Sequence, residues 1–96
     1  ATAGKSASAS IGVLENNNMQ ARMDVSLYPL ANDYIPAIKD VIQRFNSYPA
    51  LVVVTNEMST QITGELDVLM QAMQREIRTS FEQHGKCIFV MKLLPL

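Results

Sequence analysis

Ninety-six residues, 48% hydrophobic and 18% charged, suffice for one small domain with a modest core and are too apolar for a wholly disordered chain. A net charge of −1 supplies no basic patch to neutralise phosphates, which argues against nucleic acid. No apolar run approaches the ~20 residues of a membrane-spanning helix, and a single cysteine, Cys87, with a single histidine, His84, excludes an intrachain disulfide, a cysteine-only metal site and a multi-histidine site within one chain.

Residues 1–18 differ from the rest. Ala1 to Ser10 is mostly Ala, Ser, Gly and Thr, and Asn16-Asn17-Asn18 is a polar breaker. The stretch lacks the apolar segment of a secretory signal. It reads as a flexible N-terminal tail or a cloning remnant, leaving 19–96 as the folded domain. Within it, Ile11-Gly12-Val13-Leu14 has the character of an edge strand in an oligomer.

From Arg22 to Leu30 the chain alternates. Met23, Val25 and Leu27 point one way and Arg22, Asp24, Ser26 and Tyr28 the other, which predicts a strand with one apolar face, stopped by Pro29. Asn32 or Asp33 is a natural N-cap, and Pro36 suits a first helical turn. Ile35, Ile38, Val41, Ile42 and Phe45 recur at helical spacing until Asn46-Ser47-Tyr48-Pro49 ends the helix. Leu51 to Thr55 is a short β-branched strand. Asn56-Glu57 forms a turn, and Met58 to Gly64 returns as the next strand. Leu69, Met70, Met73, Ile77 and Phe81 then mark a second amphipathic helix from Leu66 to near Gly85. Cys87 to Leu94 is the last strand, and Pro95 closes it.

The order is strand, helix, strand, strand, helix, strand. Right-handed crossovers then predict a ferredoxin-like α+β sandwich: a four-stranded antiparallel sheet in the order 4-1-3-2 with two helices on one face. That topology brings the end of the first strand (Ser26, Tyr28), the end of the second (Thr55, Asn56) and the start of the third (Ser59, Thr60) to one edge. The first helix begins there with Asn32, Asp33 and Tyr34, and the second ends there with His84. Hydroxyls, an amide, two tyrosines and a helix N-terminus therefore converge at a small-molecule binding edge rather than a catalytic centre. The last strand carries apolar groups on both faces, Cys87, Phe89 and Met91 alternating with Ile88 and Val90, so its second face is expected to meet another subunit. His84 reads as a dipole partner at a helix C-terminus, Cys87 as a small core residue, and Met70 and Met73 as core filling rather than a soft-metal site.

Val25-Ser26-Leu27-Tyr28-Pro29-Leu30, followed by Asn32-Asp33-Tyr34-Ile35 and Ile38-Lys39, resembles the opening of the YkoF-like thiamine/hydroxymethylpyrimidine-binding proteins. Ser59-Thr60 with Gly64 and Asp67 is similar to that family's third strand and second helix entry, and Phe89-Val90-Met91 is a looser match to its last strand. The resemblance spans about residues 21–94. Asp24, in place of an aromatic or small residue, and Thr63, where a basic residue can occur, depart from the pattern. It implies ferredoxin-like units used in pairs and binding of thiamine or its pyrimidine precursor without catalysis. A chain with one unit then takes its partner from a second subunit, as a homodimer or tetramer.

On that basis the expected function is non-enzymatic binding of thiamine or hydroxymethylpyrimidine in cytoplasmic uptake, salvage or sensing, with no cofactor and no metal. Ser26, Tyr28, Asn56, Ser59, Thr60, Asp33 and Tyr34 are the candidate ligand contacts. Hydroxyls that both donate and accept suit an aminopyrimidine, and Glu57 and Asp33 are candidates to offset a thiazolium charge. Two other classes stand beside this one. A structural or regulatory oligomer would bind nothing at this edge. An acylphosphatase-like hydrolase or small oxygenase would need an anion loop or a nucleophile–base pair; Leu30-Ala31-Asn32 offers neither glycine nor arginine, and no such pair is visible.

Overall fold

The computed structural model describes residues 19–30 and 35–96. The tail at 1–18 and the candidates Asn32, Asp33 and Tyr34 lie outside the described residues. Alternation builds the central strand, β1 (Gln20–Pro29): Ala21, Met23 and Val25 are buried, while Arg22, Asp24, Ser26 and Tyr28 occupy the other face. After it come α1 (Ile35–Asn46), β2 (Val52–Thr55), β3 (Thr60–Glu65), α2 (Leu66–His84) and β4 (Cys87–Pro95). β1 pairs antiparallel with β3 and β4, and β2 pairs antiparallel with β3, giving the order β2-β3-β1-β4. This is the expected ferredoxin-like sheet read from its other edge.

Register assigns every strand residue a face. Met23 lies between Ile62 and Leu93, and Val25 between Thr60 and Met91, on the side that the helices cover. Arg22, Thr63 and Leu94 share the open side, as do Asp24, Gln61 and Lys92. The core joins Ala21, Met23, Val25 and Ile62 from the sheet to Val41 and Phe45 of α1 and Leu69, Ala72 and Met73 of α2. Removing Ile62, Leu69 and Phe45 from water contributes roughly 1.5–3 kcal/mol each.

Two expectations are corrected. β3 begins at Thr60, not Met58, because the Asn56 side chain folds 56–59 into a turn. Asn56 Oδ1 accepts hydrogen bonds from the backbone of Met58 (2.8 Å) and Ser59 (3.0 Å), removing both residues from the ladder. The buried stripe of α2 is rotated from the apolar periodicity: Leu69, Ala72, Met73, Glu76 and Ser80 are buried, whereas Met70 and Phe81 are exposed. Glu76 and Ser80 turn inward because α1 presents Arg44 to them. Arg44 Nε donates to Glu76 Oε1 (2.5 Å) and its Nη2 to Ser80 Oγ (2.8 Å). Phe81 instead meets Phe89 of β4 edge to face, ring centres 5.9 Å apart.

The ends of α2 are closed by local chemistry. The Glu65 side chain accepts from Val68 N at the start. At the finish Gly85 takes φ 74°, where a side chain is disfavoured, and donates its N–H to Phe81 O. No helix among the described residues is long and apolar enough to cross a membrane.

Candidate functional site

A cavity of about 380 Å³ opens between α1, the end of β1 and the β2–β3 turn, within the size range of small-molecule sites. Ser26, Tyr28, Asn56, Ser59 and Thr60, all the described candidates, line it. Much of the remaining wall is apolar. Leu27 comes from the covered face of β1, and Ile38, Val41, Ile42 and Phe45 from α1. The helical spacing that predicted α1 therefore does two jobs: Val41 and Phe45 reach the core, and the less buried Ile38 and Ile42 remain available to the cavity.

Alternation divides the polar candidates between two sides of the sheet. Thr60 is buried on the covered side, and its hydroxyl lies 3.1 Å from that of Thr55 across the β2–β3 pair. Two hydroxyls sharing one hydrogen bond retain a second proton and free lone pairs, so the pair both donates and accepts. Ser59, one residue earlier, faces the opposite way and donates to Asp24 Oδ1 at 2.5 Å. Ser26 donates to the backbone carbonyl of Met58 at 3.4 Å, tying the β2–β3 turn to β1. Tyr28 shares the open side with Ile88 and is mostly exposed. Asn56 spends its side-chain oxygen inside the turn, and its amide nitrogen makes no hydrogen bond among the described residues.

The structure also supplies partners that no sequence pattern displayed. Asp24 and Thr63, the two departures from the resembling family, are both hydrogen-bonded on the open face. Asp24 takes Ser59 and lies 3.8 Å from Lys92 Nζ, and Thr63 Oγ1 accepts from Arg22 Nε at 3.0 Å. Glu57 is exposed at the turn, and Met58 beside it also lines the cavity. His84 does not reach the cavity; its Nε2 lies 2.9 Å from Asp40 Oδ2 between the helices. Burial pushes the Cys87 thiol upward, which favours the neutral form. Among the described residues no group of three His, Cys, Asp or Glu is placed to hold a metal ion.

Three solved structures share the fold. A hypothetical protein of Methanocaldococcus jannascii is 26% identical, with TM-score 0.69 and 78% of each chain covered. A protein of Thermotoga maritima whose name suggests a part in thiamine biosynthesis or salvage is 13% identical, with TM-score 0.71, covering 77% of this chain and 81% of its own. A protein of Streptococcus pneumoniae is 20% identical, with TM-score 0.74, covering 79% and 86%. No curated protein sequence matches the chain. The profile of the YKOF-related family matches residues 20–93, from the start of β1 into the last strand, and the chain belongs to that family.

Proposed function

We propose that the protein binds thiamine or its hydroxymethylpyrimidine precursor in the cavity beneath the β2–β3 turn, without turning it over. The observation that carries this reading is the pairing of an apolar helix wall with the Thr55–Thr60 hydroxyl pair in one cavity of ligand size. An aminopyrimidine is flat and uncharged, so its faces suit Leu27, Ile38 and Phe45. Its ring nitrogens accept and its exocyclic amine donates, which matches hydroxyls that do both. Membership of the YKOF-related family supports the same ligand class, as does the name of the Thermotoga maritima relative in thiamine biosynthesis or salvage. The exposed carboxylate of Glu57, at the turn, is then suited to the thiazolium charge of the larger ligand.

The proposed setting is the cytoplasm, where a free thiol such as Cys87 persists. The proposed assembly is a homo-oligomer, dimer or tetramer, and no cofactor or metal takes part. Calorimetric titration of the protein with thiamine and with free hydroxymethylpyrimidine tests the reading. Saturable heat with at least one of them is expected. Silence with both at high protein concentration would sink it.

A further inference from the structure

We propose that Met58 closes the cavity over the face of a bound heteroaromatic ring, and that Asn56 is the positioning residue that holds it there. This rests on the ligand reading above and adds to it the group that covers the ligand.

Met58 is 84% exposed, the most exposed large apolar side chain among the described residues, yet it lines a cavity whose opposite wall is Ile38, Ile42 and Phe45. A frayed loop would account for such exposure, but this turn is fixed on several sides. Asn56 Oδ1 accepts from Met58 N and Ser59 N, Asn56 N donates to Ser59 O at 3.0 Å, and Ser26 ties the Met58 carbonyl to β1. The backbone is thus held while the side chain stays in water. A thioether with three rotatable bonds is well suited to fold down on a ring that enters beneath it, gaining apolar burial and a sulfur–aromatic contact. The same geometry reassigns Asn56. Its side-chain oxygen already serves two backbone N–H groups, so its effect on a ligand passes through the shape of the turn.

The test titrates hydroxymethylpyrimidine into the full chain and four variants, with light-scattering mass and thermal midpoint recorded for each. Met58→Leu keeps the apolar cover and is expected to bind within about twofold of the parent, whereas Met58→Gln weakens binding by about three- to tenfold through faster dissociation. Both should leave mass and midpoint unchanged, because the side chain has little packing to lose. Asn56→Asp retains an oxygen for the two N–H groups and keeps affinity; Asn56→Ala releases the turn and follows Met58→Gln. If the parent binds and Met58→Gln binds as tightly, the inference falls while the ligand reading stands. If Met58→Gln loses affinity only together with assembly mass, Met58 is a subunit contact and the inference falls likewise. A parent chain that binds neither hydroxymethylpyrimidine nor thiamine removes both.

Discussion

Glu76 is a carboxylate only 4% exposed, and a charge so placed costs several kcal/mol unless its oxygens are occupied. Both are: Oε1 accepts from Arg44 Nε, and Oε2 accepts from the Tyr48 hydroxyl at 2.6 Å. Burial, with the adjacent carboxylate adding to it, raises the Tyr48 phenol above its ordinary range and keeps it a donor. Arg44 also pairs with Asp40 one turn earlier on α1, and Asp40 reaches His84 on α2. The hydrogen bond to His84, helped by Arg44 and opposed by burial, holds the Asp40 carboxyl below the usual carboxylate range. A carboxyl whose pKa falls on folding adds stability above its unfolded value, and that stability is lost as pH drops through the folded one. Asp40→Asn should therefore lower the urea midpoint at pH 7, and the gap to the parent should close as pH falls below about 4. The side chain is 34% exposed, so the effect stays below about 1 kcal/mol. A gap that does not change with pH would show that Asp40 acts through packing alone.

At the scale of an element, β3 shows how one position can set the distance between two parts of the chain. Gly64 pairs with Ala21 in mid-sheet on the covered side. A Cβ there would meet Leu51 Cδ2 at 2.6 Å and the Ala50 carbonyl at 3.3 Å. Leu51 is itself a core residue and cannot swing away freely, and the carbonyl is backbone. The glycine is required by this close approach, which also draws the segment before β2 over the sheet. Gly64→Ala is expected to cost about 1–2 kcal/mol by overpacking. For a domain of this size that lowers the thermal midpoint by roughly 5–15 °C. An unchanged midpoint would show that Leu51 repacks without cost. The β2–β3 turn is the complementary case. Its shape comes from the Asn56 side chain, and it shortens β3 while shaping the rim of the cavity.

For the whole molecule, the open side of the sheet is the feature left unmatched. Val52 and Val54 on β2 and Ile88, Val90 and Leu94 on β4 are exposed there, flanking a polar centre of Arg22, Asp24, Ser26, Gln61 and Thr63. Two apolar margins around a polar strip are more than isolated surface residues. A second copy covering even ~400 Å² of apolar surface on each subunit would gain roughly 20 kcal/mol before association costs. Light scattering at micromolar concentration should therefore report a dimer or larger closed assembly. Ile88→Lys with Val90→Lys should shift the mass towards monomer while preserving the circular dichroism of the fold. A monomeric parent chain would overturn the expectation.

Local pattern determined a great deal of this protein. A period of two in Met23, Val25 and Leu27, a period near 3.6 in Val41, Ile42 and Phe45, the β-branched run before Thr55, and breakers at Pro29 and Gly85 mark out the type and order of the elements. With right-handed crossovers these leave the ferredoxin-like sheet order, and they bring the hydroxyl-bearing strand ends to one edge. Tertiary structure alone decided what each side chain meets. Periodicity reports which face of its own element a residue occupies, but not what stands across from that face. Thr55 finds Thr60 through strand register, and Asp24 finds Ser59 through the turn that leads into β3. Glu76 and Ser80 lie off the apolar periodicity of α2 and are buried because Arg44 of α1 and Tyr48 just beyond it meet them there. The cavity has the same origin, since its two walls belong to segments that only docking of α1 on the sheet brings together.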